Sequence, residues 1–217
     1  MYLETARFDY IELGHRLLCK SADRRLYEIA SHILHMLSGI PSTDHPGAID
    51  AAHVTLLLGA IMSLKPERVL ELGVGSGYAT WAIIGALQHN GRGKLVCVDN
   101  WFDTEGKEPP FAADIRGAGA EIIVDSEEHF VRNCPTDSFD LLLSDADHFH
   151  SGSWLGEHLR IVRDGGFLFF HDTNNPQFPS VQSVVAQISR LPHYHFTKSS
   201  RPDERCQRGW LWVVNRK

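Results

Sequence analysis

The feature that most constrains the fold of this chain is the alternation of short apolar runs with helical stretches after residue 67. Three of the runs are almost continuously apolar, which is typical of strands covered by helices on both faces. Alternation of strands and helices predicts an α/β fold with an open, doubly wound and mostly parallel sheet. The five predicted strands are residues 68–72, 94–98, 121–124, 139–144 and 167–170, and helices are predicted near 77–88, 110–118, 126–132 and 152–163.

The C-terminal part of the chain breaks this alternation. A helix is predicted over 180–191, and the segments 193–198 and 209–215 alternate in polarity like the two strands of a hairpin. Together with the five earlier strands, this pattern predicts a sheet of seven strands, of which the last is antiparallel.

The N-terminal part of the chain is predicted to be helical. Apolar residues between Leu26 and Leu37 recur at three- and four-residue spacing, and a further helix is predicted from about 48 to 64. We expect residues 1–65 to form a helical appendage, for which the roles of lid and dimer contact are both open. Residues 66–217 are expected to form one domain.

The composition argues against several classes of protein. The chain has 217 residues and a formal net charge of −6, and no run of basic residues is longer than two, which argues against a nucleic-acid partner. The four cysteines form no CxxC pair, and no stretch approaches the roughly 18 apolar residues of a membrane span. Acidic residues stand where a secretory signal would carry a basic and then an apolar segment. We therefore expect a cytoplasmic protein with no nucleic-acid and no membrane partner.

Thirteen histidines are the unusual number in this composition. Several of them, including His53 and His158, fall in predicted helices and are expected on the surface. His148 and His171 differ from these, because both follow predicted strands and stand beside carboxylates. These two histidines are therefore the ones for which a chemical role is considered.

Acidic residues mark the carboxyl ends of all five strands. In open α/β sheets, ligands bind in the crevice beyond the carboxyl ends of the strands. Because parallel strands end at one edge, we expect these acids and their neighbours to define a single crevice. The residues concerned are Glu71 before the glycine turn 73–77, Asp99 with Asn100, Asp125 with Ser126, Asp145 with Asp147 and His148, and His171 with Asp172.

The glycine turn after the first strand has the spacing Gly73-Val-Gly75-Ser-Gly77. Glycines at this place allow a tight turn and close approach of a ligand, but the spacing differs from that of dinucleotide-binding proteins. Glu71 would repel a diphosphate and suits an ammonium group, whereas Asp99 is placed to accept hydrogen bonds from ribose hydroxyls. A nucleoside with a ribose, a cationic amino-acid tail and no phosphate is S-adenosylmethionine.

Four stretches of the sequence resemble, in order, the motifs of class I S-adenosylmethionine-dependent methyltransferases. They are VLELGVGSGYAT, VCVDNWFD, DLLLSDADHFHSG and RDGGFLFFHDT, and the resemblance covers roughly residues 68–190. The last three are similar to the small-molecule branch, with its catechol-type and macrocin-type O-methyltransferases and the methyltransferase domain 24 group. The resemblance implies a Rossmann-like sheet and a methyltransferase domain over residues 66–217.

The resemblance also implies which residues hold the cofactor. It assigns the methionine part to Glu71 and the glycine turn, and the ribose to Asp99. Asp125 and Ser126 would flank the adenine. The full set of predicted cofactor-binding residues is Glu71, Gly73, Gly75, Ser76, Gly77, Asp99, Asn100, Asp125, Ser126 and Asp145.

Methyl transfer from a sulfonium is an in-line displacement, so positioning of the two reactants supplies much of the acceleration. A hydroxyl acceptor must also lose a proton; Asp145 and His148 are the predicted catalytic residues, with His148 as the base because its ordinary pKa lies near neutral pH. In resembling metal-dependent members, carboxylates at the positions of Asp145 and Asp172 bind Mg²⁺. This chain departs from those members at His171 and Thr173, and an imidazole at such a place favours a transition metal.

The sequence leaves the need for a cation open, since Asp145 and Asp172 are also suited to cap turns. The leading hypothesis is a small-molecule O-methyltransferase that uses S-adenosylmethionine, with Mg²⁺ or another divalent cation bound by the two aspartates. The alternatives are N- or C-methylation without a metal and a non-catalytic S-adenosylmethionine-binding module. A homodimer formed through the N-terminal helices is a further expectation. The aromatic residues considered for an acceptor pocket are Trp101, Phe102, Phe111, Phe149 and Trp154.

Overall fold

A computed structural model describes residue 49 and residues 51–101, 105–196 and 208–217 of the chain. Within these residues the chain forms a seven-stranded sheet with helices on both faces. The strands are β1 (Arg68–Leu72), β2 (Lys94–Asp99), β3 (Glu121–Val124), β4 (Phe139–Ser144), β5 (Val162–His171), β6 (His193–Phe196) and β7 (Trp210–Val214).

The strand order is β3-β2-β1-β4-β5-β7-β6. Strands β1 to β5 pair in parallel, and β7 pairs antiparallel with both β5 and β6. The prediction of a mostly parallel, seven-stranded sheet with an antiparallel last strand is confirmed. The chain reverses its direction across the sheet between β1 and β4, and this switch point is where open α/β sheets bind their ligands.

Among the described residues, six helices cover the two faces of the sheet, three on each. Along β1, Val69 belongs to the apolar cluster on one face and Leu70 to the cluster on the other. Because both faces are buried in this way, neighbouring residues of the central strands are apolar on both sides of the sheet. The first face carries α1 (Ala51–Leu64), α2 (Tyr78–Asn90) and α3 (Phe111–Gly117), and the second carries α4 (Glu127–Asn133), α5 (Leu155–Ile161) and α6 (Pro179–Gln187).

Helix α1 is an integral part of the first layer. Leu57 and Ile61 are completely buried and pack in the same cluster as Phe169 of β5. Residues 1–48, which hold most of the predicted appendage, lie outside the described residues, so its roles as lid or dimer contact stay predictions. None of the helices among the described residues has both the length and the apolar character needed to cross a membrane.

The helix predicted over 152–163 is wrong at both ends. Ser151–Trp154 is a 3₁₀ turn, and Val162 already begins β5. The side-chain amide of Asn215, just after β7, donates hydrogen bonds to the backbone oxygens of Leu159 (2.9 Å) and Val162 (2.6 Å). This end of α5 is therefore fixed by a residue that is distant in sequence, which a local pattern cannot show.

Candidate active site

The glycine turn lies against the loop that follows β4. Gly73 has a φ of +89°, and a Cβ at this position would lie 2.3 Å from the backbone oxygen of Asp145. Only glycine is compatible with both the left-handed backbone and this close approach. At Gly75 no described atom lies within 4 Å of an added Cβ. The turn is thus held against Asp145 at one end and leaves room for a ligand in its middle.

Asp99, the residue predicted to bind the ribose, stabilises this turn through hydrogen bonds. Its Oδ2 accepts hydrogen bonds from the backbone N–H groups of Val74 (2.8 Å) and Gly75 (2.9 Å), and its Oδ1 accepts one from Trp101 (2.7 Å). The carboxylate therefore fixes the shape of the turn, a role that the sequence reasoning missed. Ser76 and Asn100, which are also predicted to bind the cofactor, are exposed.

Glu71 lies in β1 as predicted, but its side chain is completely buried. Its Oε2 contacts the thiol of Cys97 at 3.4 Å. Burial raises the pKa of Glu71 to about 8, and the charges of Asp145 and Asp99 add to that rise. Glu71 is therefore mostly neutral at pH 7, whereas the sequence argument treated it as a charged carboxylate.

The predicted adenine-side residues, Asp125 and Ser126, also have local structural contacts. Ser126 is the N-cap of α4, and its Oγ accepts a hydrogen bond from the backbone N–H of His129 at 3.2 Å. The Oδ2 of Asp125 lies 2.6 Å from Nδ1 of His129. The backbone N–H of Asp125 donates to the backbone oxygen of Asp99 at 3.2 Å. Asp125 and Ser126 therefore lie next to the residue that is predicted to bind the ribose.

Beyond the ends of β4 and β5, two carboxylates and two imidazoles converge. Nε2 of His148 lies 3.2 Å from Oδ1 of Asp145 and 3.3 Å from Oδ2 of Asp172. Nδ1 of His171 lies 2.9 Å from Oδ1 of Asp145 and 3.6 Å from Oδ2 of Asp172. One donor atom from each of the four residues lies within 4.8 Å of all the others. We call Asp145, His148, His171 and Asp172 the four-residue cluster.

Asp172, the residue directly after β5, has an unusual backbone conformation. Asp172 has a φ of +57°, a left-handed conformation that side chains rarely adopt and that occurs often at functional sites. The next residue, Thr173, is engaged elsewhere, since its Oγ1 lies 3.0 Å from Nε2 of His195 on β6. Arg208 lies 3.8 Å from the second oxygen of Asp172.

The imidazoles and the carboxylates of the four-residue cluster shift one another's pKa values. Burial lowers the pKa of His148, but the hydrogen bonds to Asp145 and Asp172 and their charges outweigh burial and raise that pKa to about 10. The pKa of His171 is raised against burial in the same way. Burial raises the pKa of both carboxyls, but the imidazoles hold each below its ordinary value. Without a bound cation, the pKa of His148 therefore lies well above the ordinary imidazole value that led to its choice as the predicted base.

Two aromatic contacts of the cluster were missed by the sequence reasoning. The ring of Phe178, at the start of α6, lies 4.4 Å from the ring of His148. His53 of α1 stacks on Trp210 at 5.3 Å and meets the ring of His171 at 5.3 Å. His53 is completely buried, so its predicted surface position is wrong. Both contacts join parts of the chain that are far apart in sequence, and the sequence holds no signal for them.

The predicted aromatic pocket is present only in part. Trp101 and Trp154 are buried in the apolar clusters, and the ring of Phe111 packs under Gly77. Phe149 is 68% exposed and meets Phe178 edge to face at 5.7 Å. Phe102 lies outside the described residues. The apolar surface beside His148 is therefore made by the exposed Phe149 and by Phe178.

The comparisons with known families agree with this geometry. A family model described as a methyltransferase domain matches residues 70–173, from the strand before the glycine turn to the end of the four-residue cluster. Residues 70–173 of the chain carry a methyltransferase domain. The likeness to class I methyltransferases is thereby confirmed. No curated protein shows a significant sequence match to this methyltransferase.

Solved structures of methyltransferases share the fold at low sequence identity. The O-methyltransferase TomG from Streptomyces achromogenes, solved in complex with S-adenosylmethionine, is 18% identical with a TM-score of 0.60, covering 89% of this chain and 90% of that chain. An O-methyltransferase from Bacillus cereus, solved in complex with S-adenosylhomocysteine, is 15% identical with a TM-score of 0.58, covering 88% and 91%. A methyltransferase from Geobacter sulfurreducens is 14% identical with a TM-score of 0.58, covering 90% and 91%. At these identities the comparison establishes the fold.

Proposed function

We propose that this methyltransferase transfers the methyl group of S-adenosylmethionine to a hydroxyl group of a small molecule. The observation that carries the proposal is the four-residue cluster, which lies directly beside the glycine turn through the contact of Gly73 with Asp145. A hydroxyl acceptor must lose a proton during transfer, and the cluster concentrates proton-binding groups where the methyl group would lie. The O-methyltransferase activity named for TomG supports the same reaction class.

The cofactor would lie across the carboxyl ends of β1 to β4. Gly73, Gly75, Ser76 and Gly77 would hold the methionine part, and Asp145 and Glu71 would face its ammonium group. Asp99 and Asn100 would bind the ribose, because each oxygen of the Asp99 carboxylate has lone pairs beyond those that brace the turn. Asp125 and Ser126 would flank the adenine.

The four-residue cluster fits a divalent cation by its donor set. Two carboxylate oxygens and two imidazole nitrogens converge within 4.8 Å, and the same distances suit either hydrogen bonds or ligation of one cation. A divalent cation at this place would balance the charge of the two carboxylates. Asp145, Asp172 and His171 would hold the cation, and the imidazole favours Mn²⁺, Co²⁺ or Zn²⁺ over Mg²⁺. When bound, such a cation lowers the pKa of a coordinated hydroxyl group.

His148 is the residue proposed to take the acceptor proton. Its Nε2 faces both carboxylates, and its ring is held against Phe178. Because the pKa of His148 is about 10 without a cation, the imidazole serves as a base only in the fraction of protein in which it is neutral. Phe149 and Phe178 would give an apolar acceptor a wall beside this base.

The test is transfer of a labelled methyl group from S-adenosylmethionine to a panel of hydroxyl and amine acceptors. We expect labelled ethers, stimulation by Mn²⁺ or Co²⁺ above that by Mg²⁺, and loss of turnover with a chelator. His148→Ala should lower kcat on the order of 100-fold or more, whereas the exposed His150→Ala should be active. Labelled amines with chelator-insensitive turnover would favour N-methylation, and tight cofactor binding without any turnover would favour a non-catalytic module.

A further inference from the structure

A second buried polar group lies outside the four-residue cluster, between α4 and α5. Oε1 of Glu127, in the first turn of α4, lies 2.8 Å from Nε2 of His158 on α5. The side chains of Glu127 and His158 are 1% and 0% exposed, so His158 is another histidine whose predicted surface position is wrong. A carboxyl group in such a place lowers stability unless its oxygens are hydrogen-bonded. The partner of the second oxygen shows what this pair does.

The second oxygen of Glu127 binds the backbone of the loop that follows β4. Its Oε2 accepts a hydrogen bond of 3.0 Å from the backbone N–H of Asp147. Asp147 stands between Asp145 and His148 in sequence. The hydroxyl of Ser151 closes the same turn by donating to the backbone oxygen of Asp147 at 2.6 Å. Helix α4 is thus tied to the middle of the loop that carries two members of the cluster.

A second tie fixes the beginning of this loop. The backbone N–H of Asp145 donates to the oxygen of Leu72 at 2.8 Å, and its backbone oxygen is in contact with Gly73. Only Ala146 separates the two residues whose backbone is fixed in this way, Asp145 and Asp147. The direction in which the chain enters His148 therefore depends on the bond from Asp147 to Glu127.

We infer that Glu127, held in place by His158, is a positioning residue for the loop that carries Asp145 and His148. The contact itself is a property of the fold, and its consequence for methyl transfer rests on the proposed function. Small displacements of reacting groups are costly, since a shift of about 1 Å can lower a rate on the order of 100-fold. Glu127 also directly follows Ser126, so one helix start contacts the loop of the base and adjoins the proposed adenine site.

The experiment compares Glu127→Leu with Glu127→Gln and with a control on the neighbouring residue, Glu128→Gln. Leucine removes the hydrogen bonds to Asp147 and His158 and the longer ones from the hydroxyls of Ser144 and Ser151. Glutamine keeps a carbonyl oxygen for Asp147 and an amide for His158, whose imidazole can adopt either tautomer. Glu128 is half exposed and pairs with Arg132 on the surface. Two readouts are taken: hydrogen exchange of the backbone amides of 147–151 relative to those of β1 and β4, and kcat and KM of methyl transfer.

We expect Glu127→Leu to accelerate exchange in 147–151 by at least about tenfold while β1 and β4 stay protected. Its kcat should fall on the order of 100-fold with KM for S-adenosylmethionine changed less than about twofold, and Glu127→Gln should restore both readouts.

Exchange accelerated evenly over the domain, or unchanged exchange in residues 147–151, would overturn the inference. Absence of methyl transfer in the unmodified protein would contradict the proposed function alone, because the exchange readout does not depend on turnover. If Glu127→Leu does not fold, failure of Glu127→Gln to keep the loop protected overturns the inference instead.

Discussion

At the scale of single residues, the chemistry of this methyltransferase depends on which groups carry protons. The four-residue cluster places two imidazoles beside the buried carboxylate of Asp172 and the partly exposed carboxylate of Asp145, and each charge favours the opposite charge beside it. Glu71 lies in the neighbouring strand β1, and its pKa is raised, whereas the pKa values of Asp145 and Asp172 are lowered. Burial raises the pKa of Glu71 to about 8, so that Glu71 is mostly neutral at pH 7. Both departures lead to measurable pH dependence.

The first prediction concerns the contribution of His148 to stability. Its pKa is raised in the folded protein from 6.5 to about 10, so its contribution is fully present below pH 6.5 and is lost as the pH rises through about 10. Its upper limit is about 5 kcal/mol. Without a cation, His148→Ala should therefore be much less stable than the unmodified protein at pH 6 and about equally stable above pH 10. Denaturant unfolding with a chelator measures this, and a pH-independent difference would contradict it; His150→Ala is the control.

The second prediction concerns proton release by Glu71 when S-adenosylmethionine binds. An ammonium group beside Glu71 favours the charged carboxylate, so binding at pH 7 should release up to about one proton, and affinity should rise with pH until about 8. Isothermal titration in buffers of different ionisation enthalpy measures the number of protons. Glu71→Gln should release fewer protons, whereas the exposed Glu67→Gln should behave like the unmodified protein. Equal proton release by all three proteins would show that Glu71 does not face the ammonium group.

At the scale of elements, short connections between strand ends hold the site together. The glycine turn contacts the loop after β4 through Gly73, Asp99 of β2 fixes the same turn, and α4 holds the loop through Glu127. The site is therefore built by contacts among β1, β2, β4 and α4, and loss of one contact is expected to affect its neighbours.

The third prediction compares two glycines that both have a positive φ. Gly73→Ala adds a Cβ that would lie 2.3 Å from the backbone of Asp145, whereas Gly91→Ala adds one in open space at a φ of +65°. Both variants incur backbone strain of about 1 kcal/mol, and only Gly73→Ala also displaces a strand-end loop. We expect Gly73→Ala to lower the free energy of unfolding by at least about 3 kcal/mol and to abolish cofactor binding. Similar unfolding free energies for the two variants would contradict the close approach.

At the scale of the whole molecule, the fold places the helix before residue 65 in the core of the domain and not in a separate appendage. The sequence pattern predicts a division at residue 65, yet α1 ends at Leu64 and packs against α2 with Leu57 and Ile61 completely buried. His53 of the same helix contacts the ring of His171. Helix α1 thus contributes both to the core and to the surroundings of the cluster.

The fourth prediction tests this boundary by truncation. A chain that begins at residue 66 lacks α1 and exposes the apolar face of α2, so we expect it to lose cooperative unfolding. A chain that begins at residue 49 keeps α1 and should unfold more cooperatively and at a higher temperature. Calorimetry measures both, and equal melting temperatures would show that α1 belongs to a separate appendage.

The sequence alone determined the class of fold and indicated where the candidate site lies. Periodicity and apolar runs are local properties, and they placed the strands β1 to β4 to within one residue because buried parallel strands have a nearly continuous apolar pattern. The acids at the strand ends indicated the crevice, since the geometry of a parallel sheet brings those ends together. The motifs identified the methyltransferase domain that the family comparison confirmed.

The tertiary structure alone decided how the residues of the site act on one another. The raised pKa of His148, the neutral state of Glu71 and the tie from Glu127 to Asp147 all depend on burial and on contacts between distant segments. His53 and His158 look like surface residues in a helical pattern, and both are completely buried. Charge, burial and long-range contact depend on the packing of the whole chain, and for that reason no local pattern predicts them.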